Sequence, residues 1–243
     1  VPLTQTMSSE LDLLDLKRRI MQDIYEKRMI LTSTRDRAEG WKLVSGLWSP
    51  FYIQLRLISS FPQTLRRVGR AMSVLLKNSA PDVTKLVGIA FAGIPIATAI
   101  SLESNTPAVH TRKLAGVKTP GELKKALTEY GQHRLVEGVI EDGDVLCLID
   151  DLVTGMESKL VARAQVMAEV EDRGLTNVKC DDIAVVIDRQ QGARTRAESE
   201  GMSLHALIDF VDTGLPLIRD MMNEDEFDLI RSYLEAPNEF QKG

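Results

Sequence analysis

The sequence is poor in the residues that staple, ligate metals or cross membranes. Its 243 residues include 2 Cys, 3 His and 2 Trp, and aromatic residues make up 5%. Two cysteines, Cys147 and Cys180, are too few for a disulfide framework, and Cys147 lies in an apolar run that suits a buried, inert thiol. The scattered His and Cys residues show no metal-ligand spacing. No apolar run approaches the ~18 residues of a membrane span, and no signal-peptide pattern is visible, so the expectation is a soluble, cytoplasmic protein with no membrane contact. Basic excess is lacking too. The 30 Lys and Arg against 35 Asp and Glu give a net charge of −5, which argues against a general nucleic-acid binder. There is no DNA-binding module, internal repeat or low-complexity tract. What remains is an ordinary globular composition, 44% apolar and 27% charged, with length for one large domain or two small ones.

The chain is organised around residues 144–158, Asp-Val-Leu-Cys-Leu-Ile-Asp-Asp-Leu-Val-Thr-Gly-Met-Glu-Ser. Val145 to Ile149 is an unbroken apolar run, as in a strand buried on both faces. Asp150 and Asp151 end it. Thr154, Gly155 and Ser158 follow, and an amphipathic helix begins. Parallel strands deliver such loops to the carboxyl edge of a sheet, where open α/β folds bind ligands. Small residues entering a helix N-terminus offer backbone N–H groups to a phosphate. The acids suit ribose-like hydroxyls or a metal complex; alternatively they form a solvated strand end, with Ser158 as a helix cap.

Other segments continue the α/β pattern. Residues 1–8 read as a loose terminus, and Ser9 with Asp12 suggests a capping box. The spacing of Leu13, Leu16, Ile20 and Ile24 then predicts a helix to about Leu31. Residues 41–56, with turn signals at Ser45-Gly46 and Ser49-Pro50, predict a hairpin in which Phe51, Ile53 and Leu55 alternate. Pro62 opens a helix. Leu86 to Phe91 predicts a buried strand, Ala92 to Pro95 a turn, and Ile96 to Leu102 a helix. Ala108 to Arg112 is a further strand, followed by a polar stretch with Lys118, Lys124 and Lys125. Ile183 to Ile187 is another, ending in Asp188 and Arg189. Residues 203–208 add a strand, and residues 212–235 one or two helices.

Four of these segments, in order, resemble orotate phosphoribosyltransferases, members of the type I phosphoribosyltransferase family. Residues 144–158 resemble the phosphoribosyl-pyrophosphate (PRPP) motif. Leu43, Ser45, Gly46, Ser49, Pro50 and Tyr52 resemble the N-terminal hood segment. Gly93-Ile-Pro-Ile-Ala-Thr98 is similar to the family segment beneath the pyrophosphate, and Asp188-Arg-Gln-Gln-Gly192 to the family's D-R-x-x-G. Tyr130-Gly-Gln-His-Arg-Leu-Val-Glu-Gly138 is similar to the segment that follows the family's catalytic loop.

The resemblance implies a mainly parallel sheet with helices on both faces and a small hood. The expected parts are residues 1–60 (helix and hood), 61–211 (core) and 212–243 (helical extension). It also implies transfer of 5-phosphoribose from PRPP to orotate, giving orotidine 5′-monophosphate and pyrophosphate in pyrimidine nucleotide biosynthesis. Asp150 and Asp151 would hold ribose hydroxyls, and Arg112 and Lys113 would neutralise pyrophosphate. Thr154, Gly155, Met156, Glu157 and Ser158 would surround the 5′-phosphate. Arg189 would orient orotate, with Ser45, Tyr52, Ala92 and Gly93 as further substrate contacts. Mg²⁺ would arrive on PRPP near Asp150 and Asp151, with no direct protein ligand. The loop 112–133 would reach a neighbouring subunit of a homodimer, with Lys118, Lys124 and Lys125 as candidates for its catalytic lysine.

Two departures from the pattern matter. Val44 stands where the family has a substrate-contacting lysine, and in the loop Met156 stands where the family usually has Gly, with Gly155 one position early and Glu157 unusual beside a phosphate. Two like charges about 4 Å apart cost roughly 4 kcal/mol at an effective dielectric of 20, so Glu157 is expected to point away from the phosphate. The alternatives are a phosphoribosyltransferase acting on another base and a non-catalytic PRPP or nucleotide sensor on the same fold.

Overall fold

The computed structural model describes residues 3–43, 46–114, 116–117, 119, 121–123 and 134–241, with side chains from residue 12 onward. The chain divides into two units, one formed by residues 65–208 and the other by residues 1–64 with 209–243.

The larger unit is built on a six-stranded sheet. Its strands are β5 (Lys85–Gly88), β6 (Ala108–Thr111), β7 (Val136–Glu137), β8 (Val145–Val153), β9 (Lys179–Asp188) and β10 (Ser203–Asp209), in the order β10-β9-β8-β5-β6-β7. β5 pairs parallel with β6 and β8, and β8 parallel with β9; β7 is antiparallel to β6. This is the α/β, mainly parallel fold expected from the sequence. The apolar run in β8 forms the middle of the sheet because Leu146 to Ile149 are wholly buried, as a central parallel strand requires.

Four helices belong to this part of the chain: α2 (Pro62–Ser79), α3 (Gly93–Ser104), α4 (Glu157–Asp172) and α5 (Ala193–Ser199). Successive strand residues point to opposite faces. Leu146, Leu148, Ile183 and Val185 share a core with Ala162, Val166 and Val170 of α4 and with Ala193 and Ala197 of α5. α3 packs on β5 and β8. α2 lies so close to α3 that a Cβ on Gly69 would sit 2.7 Å from Ala99 O.

β8 is longer than the sequence suggests. It does not stop at Ile149 but continues to Val153, because Asp150, Leu152 and Val153 pair with Val185, Ile187 and Asp188 of β9. The acids therefore belong to the last residues of the strand, not to the loop beyond it. α3 also starts earlier than expected, at Gly93.

The smaller unit contains α1 (Leu3–Glu26), β1 (Ile30–Thr32), β2 (Trp41–Lys42), β3 (Trp48–Ser49), β4 (Phe51–Ile53) and α6 (Glu224–Glu235). α1 covers residues expected to be a loose terminus, and it ends at Glu26 rather than Leu31. Arg28 adopts φ 58°, and Met29 N donates to Ile24 O at 2.9 Å, the closure of a Schellman motif. The expected hairpin is present between β2 and β3, but β4 pairs with β1, and Leu55 begins a 3₁₀ helix. Phe51 stacks on Phe210 at 5.4 Å and meets Tyr233 edge-on at 5.9 Å, so both chain ends share one aromatic core.

Candidate active site

Four loops meet at the carboxyl edge of the parallel sheet, and hydrogen bonds tie each to its neighbour. The loop after β5 is joined to β8 where Ile89 N donates to Ile149 O at 2.9 Å. It is joined to β6 where Ala90 N donates to Thr111 Oγ1 at 3.0 Å. β9 is joined to β8 where Arg189 N donates to Val153 O at 3.0 Å. The sheet edge thus collects Ala92 and Gly93, Arg112 and Lys113, Asp150 to Ser158, and Arg189.

Gly93 shows how tight the assembly is. A Cβ there would collide with the carbonyl oxygen of Ile149 and stand 3.2 Å from Asp150 Cα. Only glycine lets the start of α3 approach β8 this closely. Ala92, half-buried, precedes α3 as its N-cap residue.

The two acids differ in environment. Asp150 is 7% exposed. Its Oδ2 lies 2.9 Å from Lys159 Nζ, and its Oδ1 accepts the Asp151 amide at 2.9 Å. Lys159 also donates to Leu152 O at 2.8 Å. Asp151 is half-buried, and its Oδ1 accepts the Leu152 amide at 2.8 Å. Burial and then the neighbouring Asp150 charge push the Asp151 carboxyl up to about 6, against the opposing pull of Lys159 and the Leu152 amide.

The phosphate-loop candidates fall between β8 and α4. Met156 caps α4, and its side chain is fully buried in the core, so it offers a ligand its backbone alone. Thr154 and Gly155 are half-buried, and Ser158 is exposed within the first turn. Ser158 is not the cap. Glu157 differs from its expected outward orientation. Its Oε2 would lie 2.6 Å from a Cβ on Gly155, so the carboxylate folds back over the loop. It is the first residue of α4, where free N–H groups and the helix dipole attract an anion.

Arg112 is half-buried, with Nη1 3.6 Å from Glu137 Oε1, and Lys113 is exposed. Arg189 is 8% exposed. Asp188 accepts the Gln190 amide at 2.8 Å and stands 3.8 Å from Arg194 Nη2. Tyr52 belongs to the smaller unit, where its ring stacks with Trp41 at 6.4 Å. Val44, Ser45, Lys118, Lys124, Lys125 and Tyr130 to His133 lie outside the described residues.

Three residues of the region were not picked out from the sequence. Thr111 anchors the loop after β5, Gln165 reaches the base of the loop after β6, and Lys159 holds Asp150. Lys159 and Gln165 do leave a trace, since both are polar residues on the inward stripe of α4.

Among the described residues, no group of three or more His, Cys, Asp or Glu side chains could hold a metal ion. The carboxylate oxygens of Asp150 and Asp151 are hard donors that fit Mg²⁺, although Asp150 is already paired to Lys159. The thiols of Cys147 and Cys180 are both buried. Burial pushes Cys147 well above the usual thiol range and Cys180 up to about 12. Nor is any described helix long and apolar enough to cross a membrane.

The edge thus brings together two carboxylates, the small-residue loop that enters α4 and three cations, Arg112, Lys113 and Arg189. No family model matches the chain. It is 30% identical over 181 residues to an orotate phosphoribosyltransferase of Pyrococcus furiosus, spanning 74% of this chain and 89% of that protein. It is 30% identical over 203 residues to an orotate phosphoribosyltransferase of Caenorhabditis elegans, spanning 83% and 81%. The fold also resembles that of Leishmania donovani UMP synthase, with a TM-score of 0.71 and 24% identity. That match spans 90% of this chain but 42% of the Leishmania chain.

Proposed function

The chain belongs to the orotate phosphoribosyltransferase family, and from this premise we propose that it transfers 5-phosphoribose from PRPP to a ring nitrogen of orotate, yielding orotidine 5′-monophosphate and pyrophosphate for pyrimidine nucleotide biosynthesis. One observation carries the assignment of roles. The acids, the phosphate cradle, the loop at Gly93 and the cations Arg112, Lys113 and Arg189 stand at one sheet edge, linked by the hydrogen bonds that join β6, β5, β8 and β9.

In this reading the bond from the anomeric carbon to pyrophosphate breaks, and the leaving group keeps the electron pair. The orotate nitrogen bonds to that carbon and releases its proton. Asp150 and Asp151 orient the ribose, with Asp151 the more open to its hydroxyls. Backbone N–H groups of residues 154–158 hold the 5′-phosphate. Ala92 and Gly93 line the pyrophosphate end, and Arg112 and Lys113 stabilise charge there. Arg189 offers orotate a bidentate carboxylate partner. Most of the acceleration comes from positioning and fixed charge. Mg²⁺ carried on PRPP would neutralise its diphosphate oxygens next to Asp150 and Asp151.

The proposal extends to a cytoplasmic homodimer, with the loop 112–133 acting on the neighbouring subunit's site. The free cysteines support a reducing compartment. Mixing an Arg112→Ala, Lys113→Ala protein with an Asp150→Asn, Asp151→Asn protein under subunit exchange should restore part of the activity.

Orotate absorbance followed over time with PRPP and Mg²⁺ tests the reaction, with Arg189→Ala as the inactive control. Val44, in place of a family lysine, removes a charge whose absence costs about 10²–10³ in rate. Slow turnover is therefore expected, and faster turnover in Val44→Lys. PRPP binding without orotate consumption in either protein would remove orotate as the substrate.

A further inference from the structure

Lys159 lies on the inward stripe of α4, in phase with Ala162 and Val166, and is 6% exposed. A buried ammonium needs close partners to offset its lost hydration. Its partners are both oxygens: Asp150 Oδ2 at 2.9 Å and Leu152 O at 2.8 Å. The other Asp150 oxygen already accepts the Asp151 amide. Both oxygens of Asp150 are thus engaged by the protein. Asp151 uses Oδ1 on the Leu152 amide and faces the Asp150 carboxyl, and it is the less buried of the two acids.

We propose that Lys159 is a positioning residue that commits Asp150 to the protein, so that Asp151 is the acid left open to ribose hydroxyls and the pair does not capture a divalent cation by itself. The inference rests on the reading of Asp150 and Asp151 as ribose acids. A carboxylate and a backbone carbonyl facing one point are hard oxygen ligands of the kind Mg²⁺ and Ca²⁺ take. Here the ammonium occupies that point. Its single charge cancels one of the two carboxylates, and its hydrogen bonds fix the rotamer of Asp150. A divalent cation would then be held chiefly by the diphosphate that brings it, and Asp150 and Asp151 alone would hold it weakly.

Mn²⁺, titrated by electron paramagnetic resonance into the full chain without any phosphate ligand, reads this directly. The native protein should bind weakly, and Lys159→Met at least about tenfold more tightly, about 1.4 kcal/mol. Lys159→Gln removes the charge but keeps a donor toward Asp150, and it carries the same expectation should Lys159→Met fail to fold. A native protein that already binds Mn²⁺ as tightly as a folded variant overturns the proposal, and so does a folded variant with no gain. A merely structural lysine would produce no such gain.

Ribose 5-phosphate calorimetry separates this inference from the reading beneath it. Asp151→Asn should lose more affinity than Asp150→Asn. The reverse order overturns the role of Lys159 while the ribose-acid reading stands. No loss in either variant overturns the ribose-acid reading and the proposal with it.

Discussion

The Arg112 amide donates to the Leu135 carbonyl oxygen at 2.9 Å, so the two feet of the long loop meet although they are 23 positions apart in the sequence. α4 fastens the junction. Gln165 Nε2 donates to Arg112 O at 2.8 Å and to Leu135 O at 2.7 Å. One turn on, Glu169 accepts from the Leu135 and Val136 amides at 2.5 and 3.3 Å. A turn further, Arg173 donates to Val136 O at 2.9 Å and to Gly138 O at 3.0 Å. Residues four apart share a helix face, so one row of α4 serves these groups, and the buried bonds, those of Gln165 to Leu135 and of Glu169 to Leu135 and Val136, are the costly ones to lose.

Gln165→Leu keeps the volume but withdraws the donor from two carbonyls. Removing one partner of a buried hydrogen bond costs about 1–3 kcal/mol. The urea midpoint should fall accordingly, with the slope of the transition unchanged. An unshifted midpoint would mean that water replaces the amide at no cost.

β5, β6, β8, β9 and β10, their order of appearance and the site loops were legible because each carries a local signal, such as the apolar runs of β5, β8 and β9 and the small-residue turns into α3 and α4; β1 and β7 were not read from the sequence. What escaped depends on partners distant in sequence. β8 extends past Ile149 because β9 is long enough to pair with it, and no single segment reveals its partner's length. α1 stops after Glu26 through a left-handed Arg28, where glycine would have been the visible signal. The collision that reserves Gly93 for glycine involves Ile149, 56 positions away. The pairing of Lys159 with Asp150 was hidden differently: a lysine near a helix start reads as surface charge until the inward stripe of α4 is known.

The Asp151 carboxyl, raised from 3.8 to about 6, sets a pH dependence of known sign. The facing charged groups are Asp150 and Lys159. Between about pH 4 and 6 the folded state holds this proton more firmly than the unfolded chain does, so stability falls as pH rises through that window. Above it the loss is complete. At about 1.4 kcal/mol per unit the contribution reaches roughly 3 kcal/mol. Asp151→Asn should therefore be more stable than the native protein at pH 7 and should flatten the slope between pH 4 and 6. Urea melts across that range check both. If the asparagine protein is no more stable at pH 7, the native carboxylate is not disfavoured by its surroundings.

Glu157 poses a question of charge against phosphate. Its carboxylate folds over Gly155, at the helix start where the 5′-phosphate is proposed to bind. At about 4 Å and an effective dielectric of 20 the two anions would repel by roughly 4 kcal/mol. The side chain is exposed, so solvent and salt remove much of that, and the long stem lets the carboxylate swing aside. A residual cost of about 1.4 kcal/mol would mean tenfold weaker binding. Glu157→Gln keeps the shape and removes the charge. Ribose 5-phosphate should bind it about tenfold more tightly than the native protein at low ionic strength, and the advantage should shrink as salt is added. An equal gain at all salt concentrations would point to shape rather than charge. No gain at any salt would show that the carboxylate vacates the loop at negligible cost, leaving Glu157 without a hold on phosphate affinity.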